Sequence, residues 1–247
     1  MAINLASLSK NVVKPPRIII HGDPGVGKTT FAVCAEAPVV IQTEDGLGNL
    51  DATCFPLARS FGDVMEAIAS LYQEQHEFKT LVVDSLDWLE PLVWQTVCAT
   101  HGKKSIEEFG YGKGYVEALG VWRAFFDGIT ALRDDRGMTI VMTAHSEQKR
   151  VEDPLLPAYD THDLKLHKRA AALAEEFADV ILFAALQTNT VTEDSGFNNK
   201  RTRAVTTGQR VIHTVGQPAF LAKNRYNLPP VMPLTWADFA AAMPGAQ

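Results

Sequence analysis

The sequence predicts an α/β protein with a mostly parallel central sheet, flanking helices and β-hairpin-like strands towards the C-terminus. Three observations carry this. Apolar, β-rich runs recur between helical patterns: "RIIIH" (17–21), "PVVIQT" (38–43), "KTLVVD" (79–84), "MTIVMTA" (138–144) and "DVILFA" (179–184). That is the rhythm of parallel strands joined by crossover helices. A glycine-rich segment, Gly22-x4-Gly27-Lys28-Thr29, joins the first run to a helical stretch. After Gln187 the pattern changes to short β-like pieces, "RAVTTG" (203–208), "RVIHTV" (210–215) and "AFLAKNRY" (219–226), then a short helix from about Trp236.

Residues 1–14 read as an arm outside the core, and 15–247 as one domain whose part from 189 onward is β-rich. Ser60 and Asp63 form a capping box, after which Val64, Ile68, Leu71 and Tyr72 repeat at helical spacing. Asp87 can cap the next helix, whose apolar residues are Trp88, Leu92, Val93 and Val97, with Pro91 near its start. Val121, Trp122, Phe125, Phe126, Ile129 and Leu132 make a further apolar face, closed at Gly137. Two connections are long, 99–115 and 146–163, and structureless stretches of that length in a compact domain are usually functional or disordered.

With 247 residues, 46% of them hydrophobic, the chain can bury a sizeable core. No run approaches the ~18 apolar residues of a membrane span, and the opening lacks a signal peptide's apolar stretch, so no membrane role and a cytoplasmic location are expected. Cys34, Cys54 and Cys98 form no C-x-x-C pair and read as core residues without chemistry. The net charge of −6 argues against general coating of polyanions, yet 195–237 carries Lys200, Arg201, Arg203, Arg210, Lys223 and Arg225 with no Asp or Glu.

The segment from Gly22 through Asp23, Pro24, Gly25, Val26, Gly27, Lys28, Thr29 and Thr30 matches the P-loop pattern in its strand-to-helix context. The glycines let backbone N–H groups curl around phosphate oxygens, Lys28 reaches the β- and γ-phosphates and Thr29 holds Mg²⁺. ATP and Mg²⁺ are the expected ligands. Asp84, ending "TLVVD", supplies the carboxylate for the metal's shell. Glu44, just beyond the second strand, can orient or deprotonate the attacking water; Asp45 is the alternative, and a structural cap on Gly46 the non-catalytic reading.

Glu44, "LVVDSL", the polar residue after "TIVMTA" and "FLAKNRYNLPP" follow the layout of a RecA-type ATPase core. Over about 16 to 230 the chain resembles the bacteriophage RecA-like ATPases of single-strand annealing and recombination. The resemblance implies a RecA-like P-loop NTPase core, with Glu44 as catalytic glutamate and His145 in the place of a γ-phosphate sensor that is usually Gln. It implies that Lys223 and Arg225 reach across a subunit interface to a neighbour's ATP in a filament or ring. DNA-contacting loops then fall at Lys103, Lys104, Tyr111 and Lys113, and at Lys149, Arg150, Lys165, Lys168 and Arg169. In 146–169 those five cations are matched by Glu147, Glu152, Asp153, Asp160 and Asp163.

The implied partners are single-stranded DNA, further copies of the chain and a single-strand-binding protein; the implied place, for a phage-encoded protein, is the bacterial host cytoplasm. The function expected is thus an ATP- and Mg²⁺-dependent, DNA-stimulated ATPase that promotes annealing or recombination. A nucleotide-dependent module recruiting a replication or repair protein is the alternative, followed by a small-molecule P-loop kinase.

Overall fold

The computed structural model describes residues 4, 8, 13–152, 154, 157–194 and 200–244; most of the expected arm at 1–14 lies outside them, as do the side chains of Lys200, Arg201 and Arg203. In chain order the elements are β1 (Arg17–Gly22), α1 (Lys28–Val33), β2 (Pro38–Gln42), α2 (Phe61–Gln73), β3 (Thr80–Asp84), α3 (Leu86–Thr100), a 3₁₀ turn (Ile106–Phe109), α4 (Lys113–Arg136), β4 (Thr139–Val151) and β5 (Tyr159–Leu164). They continue with α5 (Lys168–Phe177), β6 (Val180–Asp194), β7 (Lys200–His213), β8 (Lys223–Asn224), β9 (Val231–Pro233) and α6 (Trp236–Ala242).

One sheet runs in the order β2-β3-β4-β1-β6-β7-β9, parallel from β2 to β6 and antiparallel at β7 and again at β9. The interior strands are apolar on both faces because helices cover both. Successive residues alternate sides. Ile18, Ile20, Val82 and Leu182 pack towards Phe31 of α1 and Phe239 of α6, while Ile19, Val83, Met142 and Ile181 pack towards α2 to α5. Trp122, Phe125, Phe126, Ile129 and Leu132 are buried core on α4, which ends at Gly137 in the left-handed conformation. The Ser60–Asp63 capping box is present in full.

This strand order sets the site. β4 lies between β1 and β3, and Gly22 stands opposite both His145 and Ala184. The ends of β1, β2 and β3 and the middle of β4 therefore meet along the carboxyl edge of the sheet, where open α/β sheets bind ligands.

Several expectations need correction. The connection at 146–163 is not structureless: β4 continues past the sheet to Val151 and folds back as β5. Its pattern hides a strand because neither face is apolar. The hairpin is held by backbone pairing and by charge, with Lys149 bonded to Asp163 at 2.9 Å and to Glu147 at 3.2 Å, and Arg150 facing Asp160 at 3.7 Å. The connection at 99–115 shrinks to a short link around the 3₁₀ turn, since α3 runs to Thr100. "DVILFA" continues to Asp194 and pairs with one long β7, while only Lys223–Asn224 of "AFLAKNRY" is strand. Trp88 points outward, 51% exposed, because Leu86, Leu89, Val93 and Val97 already fill the buried stripe of α3. Cys34 and Cys54 are exposed and only Cys98 is buried. Among the described residues no helix is long and apolar enough to cross a membrane.

Candidate active site

Gly22 ends β1 where its backbone runs against β6: a Cβ there would lie 2.3 Å from the Ala184 carbonyl oxygen, so no other residue fits. Gly27, at φ +113°, turns the loop into α1 through a conformation that L side chains rarely adopt. Between them Val26 is buried and anchors the loop to the core. Lys28 folds back under it, its ammonium donating to the carbonyls of Gly22 and Asp23 at 3.0 Å each. Burial lowers its pKa, and the carboxylates of Asp87, Asp84 and Glu44 work against that shift. A cation so placed, beside backbone N–H groups freed by glycine, suits the oxygens of a triphosphate.

The cleft above the loop holds about 470 Å³ and is lined by Gly25, Gly27, Lys28, Thr29, Thr30, Glu44, Gly46, Leu47, Leu50, Asp84, His145 and Arg210. Asp23, Pro24 and Val26 flank it on the other side of the loop, along a second cavity under β6 and β7. The Thr29 hydroxyl donates to Asp84 at 3.1 and 3.3 Å, and Thr143 donates to the same carboxylate from β4. Among the described residues no three His, Cys, Asp or Glu cluster into a metal cage. One hydroxyl and one carboxylate beside a phosphate loop fit Mg²⁺, which keeps several waters and completes its shell with phosphate oxygens.

Glu44 is placed by its neighbour. The Thr43 hydroxyl donates to the Ser85 carbonyl at 2.6 Å and accepts from the Ser85 N–H at 2.7 Å, tying the end of β2 to the end of β3. Glu44 then faces the cleft, whereas Asp45 is exposed and outside its lining. Burial raises the Glu44 pKa, and the Asp84 carboxylate adds to the shift. That strengthens it as a proton acceptor.

Asp87 does not cap α3. Ser85 is the N-cap, and the Asp87 carboxylate accepts instead from the His145 backbone N–H and ring Nδ1, both at 2.9 Å. Burial alone would raise the Asp87 carboxyl, but these bonds outweigh it and hold it below its ordinary value. With Nδ1 committed to Asp87, the His145 Nε2 is the ring nitrogen left to meet a ligand.

Asp87 also borders a groove of about 580 Å³ along α3, with Trp88, Glu90, Trp94, Glu147, Lys149, Lys165, His167 and Lys168. Three of the expected DNA-contacting cations, Lys149, Lys165 and Lys168, thus come together with two tryptophans. Tyr115 of α4 stacks on His167 with ring centroids 3.8 Å apart, drawing the 99–115 link alongside. Lys113 and the fully exposed Tyr111 sit just before that stack, with Lys103 and Lys104 at the far end of the link. Arg169 is exposed at the start of α5, and Arg150 lies out along the hairpin.

Lys223 and Arg225 lie elsewhere. Lys223 pairs with Ile181, near the amino end of β6, and its ammonium donates to the Glu175 carbonyl at 2.6 Å, closing the end of α5. Arg225 donates to Asp179 at 2.9 Å. Sequence reading missed Trp88, Trp94, the Asp87–His145 pair and Arg210 as site residues.

A family model described as an AAA domain matches residues 14–226. No curated protein matches the chain.

Proposed function

Because the chain belongs to the AAA domain family and carries a P-loop ATPase core, we propose that it hydrolyses ATP with Mg²⁺ to control a grip on single-stranded DNA. The observation that carries this reading is the Asp87 carboxylate, which holds His145 in the phosphate cleft and borders the tryptophan groove from the same helix.

The loop N–H groups and Lys28 bind the triphosphate, and Thr29 and Asp84 would hold Mg²⁺, which would supply positive charge to offset that of the phosphates. Glu44 takes the proton from water as the water oxygen attacks the γ-phosphorus, and the bond to the bridging oxygen breaks with its electron pair leaving on ADP. His145 Nε2 meets the γ-phosphate. Loss of that contact on hydrolysis changes the His145–Asp87 pair and, one residue along α3, Trp88. In the groove, tryptophans offer stacking surfaces for bases, while Lys165 and Lys168 offer charge for phosphates.

Single-strand annealing or recombination, as in the phage RecA-like class, is the larger role we assign to this cycle. Assembly into a filament or ring, with Lys223 and Arg225 serving a neighbour's ATP, belongs to the same reading. Both side chains are committed within their own chain, so this part rests on resemblance. Its test is turnover per subunit, which should rise with protein concentration.

A second reading, nucleotide-dependent recruitment of a replication or repair protein, is favoured by the hairpin, where Lys149 and Arg150 are already matched by carboxylates. Fluorescence anisotropy of a labelled single-stranded oligonucleotide across a salt series separates the two. Binding that needs ATP and Mg²⁺, is lost in Lys28→Ala and weakens with salt by about 0.7 log units per log unit for each phosphate contact supports the DNA reading. No binding under any nucleotide condition supports the protein partner.

A further inference from the structure

We propose that Arg210 is a cation the chain supplies in cis to the phosphates of its own bound nucleotide. The inference deepens the ATPase reading and rests on it. Arg210 lies on β7 opposite Leu186, two residues beyond the point where β6 faces Gly22, and so at the carboxyl edge of the sheet. Its backbone is fixed from the other side: the Leu234 N–H donates to the Arg210 carbonyl at 3.1 Å, and Val211 pairs with Pro233 of β9.

From there the side chain reaches over the loop. A Cβ added to Gly27 would sit 3.2 Å from Arg210 Nη1. The guanidinium therefore rests against the residue that turns the phosphate cradle into α1, in the cleft that Lys28, Thr29, Glu44 and Asp84 also line.

Arg210 combines a place in the phosphate cleft with the lack of any tie, unlike the cations at the amino edge and on the hairpin. Arg17, Arg133 and Arg225 converge on Asp179, Lys149 binds Asp163, and Lys223 closes α5. Among the described residues the Arg210 guanidinium has no hydrogen bond or ion pair. Five N–H donors in a planar fork, held beside a second cation and left unmatched, fit the paired oxygens of a phosphate. As water attacks the γ-phosphorus and the electron pair moves to the departing ADP oxygen, this fork meets the charge on the transferring and leaving oxygens. An arginine finger does the same from a neighbouring subunit.

The test compares wild type, Lys28→Ala, Arg210→Ala and Arg210→Lys in steady-state ATP hydrolysis, with nucleotide affinity from titration of a fluorescent ATP analogue. Arg210→Ala should lose about 10³–10⁵-fold in kcat while affinity falls less than about tenfold, and Arg210→Lys should recover part of the loss. Equimolar mixing of Arg210→Ala with Lys28→Ala should restore nothing, because each subunit lacks one cation at its own site. Recovery on mixing would show Arg210 acting in trans and overturn the proposal, as would a wild-type kcat in Arg210→Ala. If wild type shows no hydrolysis that Lys28→Ala removes, the ATPase reading fails as well; if it does and Arg210→Ala matches it, this inference alone fails.

Discussion

The two edges of the sheet carry similar charges and use them in opposite ways. At the amino edge Asp179 accepts from the Arg17 backbone at 3.1 Å and from its side chain at 3.0 and 2.9 Å, and from Arg225 at 2.9 Å, with Arg133 3.6 Å away. Burial opposes ionisation of Asp179, and the Arg17 bonds overcome it, keeping the carboxyl below its ordinary value. At the carboxyl edge Lys28, Asp84, Glu44 and Arg210 form no ion pair with one another. Lys28 donates to loop carbonyls, Asp84 accepts from two threonines, Glu44 has its pKa raised, and Arg210 is untied. Charges that meet hold strands together; charges held a short distance apart by backbone and hydroxyls can receive a ligand and act on it.

This contrast can be broken from either side. Arg210 aside, the largest effect should come from Glu44→Gln, which keeps nucleotide binding but slows hydrolysis by about 10²–10⁴-fold; near-normal turnover would remove Glu44 as the base. Lys28→Ala should cost about 10²–10³-fold in kcat and weaken nucleotide binding, without lowering the midpoint of denaturant unfolding. At the amino edge the pattern should reverse: Asp179→Asn should cost about 3 kcal/mol of stability, since it leaves arginines unmatched at a largely buried position. Its kcat at a temperature where it stays folded should equal that of wild type.

A smaller effect should follow pH. Glu90 lies one turn along α3 from Asp87, and burial pushes its carboxyl up to about 7 although it accepts from the His167 N–H. Between the ordinary value of 4.5 and about 7, the folded chain keeps a proton that the unfolded chain has released. The stability this group contributes is therefore complete below pH 4.5 and is lost as pH rises through 7. The loss should be about 2–3 kcal/mol. Urea unfolding at several pH values should show that slope in wild type and a flatter one in Glu90→Gln.

The phosphate loop was legible because everything it needs is local: glycines, a lysine and a threonine between an apolar strand and a helix. Asp84 was legible for the same reason, closing an apolar run. The Asp87–His145 pair was not, because it joins residues 58 apart, and an aspartate at the start of a helix reads as a cap. Arg210 was seen only as one cation in a basic stretch, since its place over Gly27 depends on the register of β7 with β6 and β9. The hairpin at 146–163 escaped because two solvated faces leave no alternation to read.

The proposed route from nucleotide state to the tryptophan groove runs through His145 and Asp87. Its most direct test is the affinity of a labelled single-stranded oligonucleotide, by anisotropy, with and without a slowly hydrolysed ATP analogue and Mg²⁺, for wild type and Asp87→Ala. Wild type should bind at least about tenfold more tightly with nucleotide, while Asp87→Ala binds the analogue normally and shows no such change. Equal oligonucleotide affinity in wild type with and without nucleotide, or an undiminished shift in Asp87→Ala, would show that Asp87 carries no signal to the groove.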